Sequence, residues 1–292
     1  MLRYTFSTAS IHTYGTARTF EIAKQAGFDG MELMIDYRPD TRDADYIRRL
    51  IDRYQIPVLS VHSPFSIYAQ GWGRDDAEAV QRTVKMAETL DAEAVVVHLP
   101  PKVDFTSIEL IIGSWRKRMV TLLPGSRFKR LRRWMETEFD ALQDSTRVEL
   151  CVENLPAHVV AWNKTNLYFW NPISMQQLES IKRFRALTMD TTHLATWGLE
   201  PAEVYPHWNS HIRHVHLSNY DGQEHRLPEE GRLRLDRLIH QLARDRFDGT
   251  ITLELYPAVC GAGKPDCEVI DRLAKSLQTC HSWENSQPSG AI

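Results

Sequence analysis

Ala94-Val95-Val96-Val97-His98-Leu99-Pro100 is an apolar run that stops on a histidine and is closed by a proline. A short continuous apolar run fits a strand buried on both faces, as in a parallel sheet covered by helices. Runs of this kind, short and β-rich, recur along the chain. Strands are expected over Arg3–Phe6, Gly30–Ile35, Pro57–His62, Ala94–His98, Val148–Glu153, Ala186–Asp190, Ile212–Leu217 and Thr250–Leu255. Helical patterns lie between them, at Thr16–Gln25, Asp43–Tyr54, Asp75–Leu90, Ser174–Phe184, Leu233–Arg244 and Asp266–Thr279. Several open on acidic residues, which are favourable at a helix N-terminus, and Gly27 stops the first. Alternation of strand and helix reads as parallel α/β. Eight strands favour a closed (β/α)8 barrel, a fold of about 250 residues plus insertions. The expectation is one barrel domain over residues 1–284 and a disordered tail over 285–292.

Composition agrees. Hydrophobic residues at 42% and charged residues at 25% are ordinary for a globular chain of 292 residues. The net charge of -3 excludes a chain built as a whole to attract polyanions. Four cysteines without a CxxC pair are too sparse for a disulfide scaffold. The N-terminus lacks a basic region followed by an apolar run, and no stretch approaches the roughly 20 apolar residues that span a bilayer. A soluble cytoplasmic protein is expected.

Two segments break the repeat. Residues 101–147 are long for one connection and hold two basic blocks, Trp115–Arg118 and Arg127–Trp134. The plainer reading is a solvated helical face; the sharper one is a patch for a phosphorylated or nucleic-acid ligand. Residues 158–171 carry Trp162, Tyr168, Phe169 and Trp170 after a strand end, where they could roof a site or pack on an outer helix. Phe28-Asp29-Gly30 and Phe247-Asp248-Gly249 echo one another ahead of strands that run into Glu-Leu.

The strand ends carry the chemistry. His62 ends the third expected strand, His98 the fourth, Glu153 the fifth and Asp190 the sixth, with His193 three residues on; His216 lies at the end of the seventh and Glu254 of the eighth. In a parallel barrel these ends share one rim. Imidazoles and carboxylates converging there can bind a divalent ion. A glutamate closing an apolar strand is costly unless paired or coordinated. Glu153, Asp190, His216 and Glu254 form the expected metal core. His62, His98, His193 and His225 are expected as further ligands, as residues supporting the ligands, or as substrate contacts. His214, two residues before His216, shares its strand face one layer deeper. His12, His158, His207, His211, His240 and His281 fall outside the pattern and read as structural.

These residues and their order resemble the xylose isomerase-like TIM barrel superfamily, which holds sugar isomerases, sugar and sugar-phosphate epimerases, and endonuclease IV. The similar segments are Ala26–Leu33, Ser60–Phe65, Val152-Glu153-Asn154, Met189–His193 and His214–Gly231, spread from about Thr5 to Pro257. The resemblance implies a Mn²⁺, Mg²⁺ or Zn²⁺ ion on Glu153, Asp190, His216 and Glu254. It implies proton transfer by Glu153 and Glu254 through a metal-stabilised enediolate of a sugar or sugar-phosphate. His62, His98, His193 and Asn154 would then contact the substrate. The alternative is an endonuclease IV-like phosphodiester hydrolase with a multinuclear zinc site, acting on nucleic acid. His62, His98, His193 and His225 match its added histidines, but an aspartate two residues before His225 is replaced by Gln223.

Overall fold

The computed structural model describes residues 1–64, 69–100, 105–112, 115–122, 127–157, 159–162, 165–168 and 179–285, with main chain alone over 105–127 and 159–168. Eight parallel strands close into a barrel: β1 (Arg3–Ser7), β2 (Gly30–Met34), β3 (Val58–His62), β4 (Ala94–His98), β5 (Glu149–Glu153), β6 (Ala186–Asp190), β7 (Ile212–Leu217) and β8 (Thr250–Leu253). Each pairs with its neighbours in sequence order, and β1 closes on β8 through Arg3↔Thr250 to Phe6↔Leu253. The eight expected strands are thus present, Ala94–His98, Ala186–Asp190 and Ile212–Leu217 with the expected bounds and the others with shifted ends. The eighth stops at Leu253, so Glu254 lies one residue past the strand and not within it.

Period-two alternation separates two kinds of interior. Phe6, Val97, Val152, Met189, Val215 and Leu253 belong to the large apolar cluster built with the surrounding helices. The opposite face of the strands is polar on one side of the barrel. Thr5 Oγ1 meets Thr252 Oγ1 at 2.6 Å, His214 Nδ1 meets Thr250 Oγ1 at 2.6 Å, and Ser60 Oγ donates to Glu32 Oε2 at 3.0 Å. Ala94, Cys151 and Ala186 form a small separate apolar cluster. Such an interior departs from the branched aliphatic layers usual in these barrels.

The helices start where their caps dictate. Asp43 and Asp75, expected as first helical residues, stand one position outside. Their side chains accept from the Tyr46 and Glu78 N–H groups and cap Ala44–Tyr54 and Asp76–Thr89. The last helix runs on to Asn285, six residues beyond the expected Thr279. Residues 179–181 of the expected Ser174–Phe184 helix are helical, and 174–178 lie outside the described residues. No helix among the described residues is long and apolar enough to cross a membrane.

The basic blocks divide. Arg127–Thr137 is a helix, as expected. Trp115–Leu122 is instead a strand, paired antiparallel with Phe105–Ile112. The helical reading fails there because Phe105–Ile112 is rich in β-branched residues, Trp115–Leu122 adds Val120 and Thr121, and the two runs flank Gly113-Ser114, a hairpin signal. Val159–Trp162 and Thr165–Tyr168 form a second antiparallel ribbon. His158, Phe169 and Trp170 lie outside the described residues, and so does the expected tail after Asn285.

The echoed glycines have one steric cause. A Cβ on Gly249 would run into the Arg213 carbonyl oxygen at the start of β7, and one on Gly30 would come within 2.8 Å of Leu59 Cγ on β3. Each strand enters the barrel against its neighbour's backbone or side chain. Gly249→Ala is expected to cost about 1–3 kcal/mol, since a carbonyl cannot move aside as a leucine can. A urea midpoint equal to that of the wild type would contradict this.

Candidate metal centre

Glu153, Asp190, His216 and Glu254 bring one ligand atom each within 4.8 Å of one another. They come from β5, β6, β7 and the residue after β8. His216 Nδ1 lies 3.0 Å from Glu153 Oε1, 2.9 Å from Glu254 Oε2 and 3.8 Å from Asp190 Oδ2. Asp190 uses its other oxygen, Oδ1, to accept from the His193 N–H at 2.7 Å and from Thr192 Oγ1 at 3.0 Å, capping the helix Thr191–Thr196. That leaves Asp190 Oδ2 buried without a hydrogen bond. A buried carboxylate oxygen with no donor is unstable by itself and suits a cation. The set of one imidazole and three carboxylates fits a divalent ion.

The outer histidines sort into two groups. His62 and His98 gather on the second oxygen of Glu153, with their Nε2 atoms 3.5 and 3.1 Å from Oε2. Glu153 therefore faces two clusters, one through each oxygen. His193 and His225 gather with Glu224, all within 4.8 Å. Gln223 stands where the endonuclease IV pattern has an aspartate, and the neighbouring Glu224 brings a carboxylate oxygen to this group. His225 has a left-handed backbone, φ 59°, uncommon for a non-glycine residue. It is held there by the Tyr256 N–H donating to its carbonyl and by paired main-chain bonds between Asn219 and Arg226.

Ring orientation is fixed by what each second nitrogen meets. Nδ1 of His62 lies 3.0 Å from the Ser63 carbonyl, that of His193 2.7 Å from the Asn154 carbonyl, and that of His225 3.2 Å from the Glu254 carbonyl. Those three rings turn Nδ1, not Nε2, to the main chain. His216 is reversed: Nδ1 faces the carboxylates, and Nε2 lies 3.2 Å from Glu32 Oε2.

Glu32 joins the site without having been marked by the strand-end pattern. It is fully buried on β2 and also lies 2.9 Å from His214 Nε2. Its signal is present in Met31-Glu32-Leu33-Met34, an acid inside an apolar strand. Asn154, expected as a substrate contact, spends its amide elsewhere. It donates to the Asp190 carbonyl at 3.1 Å and accepts from the Asp190 N–H at 2.9 Å, so it clamps β5 to β6. Among the histidines outside the pattern, His211 bonds the Phe184 carbonyl and His281 meets Glu284.

The charges are balanced by protons. Burial works to raise Glu153 and Glu254, but His216 holds both down, with His98 assisting on Glu153; Glu254 ends at about 2. Burial raises Asp190 above the usual aspartate value against the pull of His193 and His225. Burial lowers His193, yet Asp190 and Glu153 bring it to about 9. Burial likewise opposes His216, which Glu32, Glu254 and Glu153 raise well above an ordinary histidine. Both rings are therefore protonated at pH 7 in the ion-free cluster. A coordinating nitrogen cannot keep its proton. Metal uptake at pH 7 is expected to release protons, and affinity to rise with pH. Calorimetric titration with Mn²⁺ in two buffers of different ionisation enthalpy measures this; identical heats would refute it.

Comparison with known proteins bears on the fold and the family. A family described as xylose isomerase-like TIM barrel matches residues 20–280. An uncharacterized protein of Mycobacterium tuberculosis is 27% identical over 295 residues, covering 93% of this chain and 94% of its own. One from Mycobacterium leprae is 27% identical over 278 residues, covering 87% and 89%. Among solved structures, a D-tagatose 3-epimerase-like protein superposes with TM-score 0.64 at 20% identity, covering 97% of this chain and 98% of that one. The 3-keto-D-glucoside 4-epimerase of E. coli gives 0.65 at 14%, covering 95% and 100%. An AP endonuclease of family 2 from Brucella melitensis gives 0.62 at 17%, covering 92% and 97%. At such identities the superpositions speak for the fold alone, whereas the family match spans most of the chain: it belongs to the xylose isomerase-like TIM barrel family.

Proposed function

We propose that this protein is a divalent-metal-dependent isomerase or epimerase of a sugar or sugar-phosphate. The observation that carries this is the approach of Glu153 and Glu254 to the same nitrogen of His216, at 3.0 and 2.9 Å, from strand ends on different parts of the rim. Glu153, Asp190, His216 and Glu254 would hold Mn²⁺, Mg²⁺ or Zn²⁺. The bound ion supplies polarisation of a substrate carbonyl or hydroxyl oxygen. Glu153 and Glu254 are ionised and so able to take a proton from a substrate carbon and return one. Which acts first depends on the face attacked. His62, His98 and His193 would orient substrate hydroxyls.

A specific observation favours a second reading, phosphodiester hydrolysis. Glu153 turns its other oxygen to His62 and His98, and His193, Glu224 and His225 make a further group. Three adjoining ions would suit in-line attack on a phosphate of nucleic acid.

Metal count separates the two. Anomalous diffraction from crystals grown with Mn²⁺ or Zn²⁺ should find one ion on the core four. The loaded protein, incubated with a panel of ketoses and their phosphates in D₂O, should place deuterium on the carbon beside the carbonyl. Three ions together with cleavage of an abasic-site duplex would replace the isomerase reading by hydrolysis.

A further inference from the structure

Strands β2 and β7 are not neighbours; β1 and β8 stand between them. Glu32 on β2 nevertheless reaches His214 and His216 on β7 across the barrel interior. Its Oε2 is the meeting point of three groups: Ser60 Oγ at 3.0 Å, His214 Nε2 at 2.9 Å and His216 Nε2 at 3.2 Å. His214 is oriented in turn by Thr250 at Nδ1 and lies 3.1 Å from Thr252 Oγ1 at Nε2. All of these residues are buried, Glu32, His214 and His216 completely. A carboxylate accepts only, so each ring presents an N–H to it.

We propose that Glu32 is the positioning residue of the metal centre. It holds the proton of His216 on Nε2 and thereby commits Nδ1 to the ion, and its buried negative charge strengthens that nitrogen as a ligand. On this proposal Glu32 acts through His216 and is not one of the four ligands of that centre. The three outer histidines bonded at Nδ1 to main-chain carbonyls are committed the opposite way and through the backbone, whereas His216 is committed through an ionisable side chain. Carboxylate partners of metal-bound histidines typically set about 10–100-fold of metal affinity. The inference rests on Glu153, Asp190, His216 and Glu254 being the metal ligands.

The test uses the full chain labelled with ¹⁵N-histidine and loaded with Zn²⁺, together with Mn²⁺ and Zn²⁺ competition titrations against a chromophoric chelator. In the wild type, His216 should show a protonated Nε2 and an unprotonated Nδ1. Glu32→Gln keeps the volume but lacks the charge and can donate as well as accept. It should weaken binding about 10–100-fold at unchanged stoichiometry and give His216 a mixed tautomer signal. A wild-type His216 carrying its proton on Nδ1 overturns the proposal without any substitution. So does Glu32→Gln that binds both ions as tightly as the wild type, which would leave the metal reading standing. A wild type that binds neither ion, or an Asp190→Asn variant that binds both normally, would overturn the metal reading and this inference with it.

Discussion

Glu254→Gln is expected to slow exchange of solvent protons into the reacting carbon by about 10²–10⁴-fold, the usual contribution of a positioned acid or base. Glu254 is the most open of the four core residues, with a side chain 15% exposed while that of Glu153 is 1% exposed. Its place one residue past β8 puts it at the mouth, where a substrate would enter. Gln has the same volume and keeps an oxygen able to meet a cation, but it cannot carry a proton between carbons. Metal content should therefore fall less than the exchange rate. The comparison requires deuterium incorporation by NMR alongside elemental analysis of the same sample. Wild-type exchange in the variant would remove Glu254 from acid–base chemistry and leave it as a ligand at most.

Stripping the ion is expected to lower the melting temperature by about 5–10 °C. A ligand at about 100 times its Kd stabilises the native state by about 2.7 kcal/mol, and about 2–4 °C accompanies each kcal/mol in a chain approaching this size. The cause is the density of acids. Glu32, Glu153, Asp190 and Glu254 surround one imidazole, with further histidines close by. Without a cation that cluster relies on protonated histidines, which are themselves costly to bury. Scanning calorimetry in chelator and again in excess Mn²⁺ or Zn²⁺ measures the difference. Coincident melting curves would mean that the folded state does not hold these ions.

Much of the site is legible in the sequence because barrel geometry converts a one-dimensional pattern into a ring. A polar residue at the end of an apolar strand must lie at the rim, which places His62, His98, Glu153 and Asp190 before any coordinates. Glu32 escapes that rule because it sits in mid-strand, and its partner His216 on β7 lies 184 positions away. The cost argument that marks Glu153 applies to it equally. Glu224 escapes because spacing counts positions along the chain, and the left-handed turn at His225 is not visible in spacing. In the hairpin over 105–122, charge draws the eye while the β-branched residues carry the structural message.

The cross-barrel contact of Glu32 with His216 also bears on how the chain reaches its native state. Residues 32, 153, 190 and 216 lie in strands and residue 254 just after one, and together they draw on both halves of the sequence. Contacts of such long sequence separation form late and slow folding, because loop closure precedes any gain from them. Under the proposed metal reading, ion capture by the four core residues would follow closure of β1 on β8. A nascent chain that has not yet delivered Glu254 would then lack one of the four ligands, so ion uptake would record that the ring is complete.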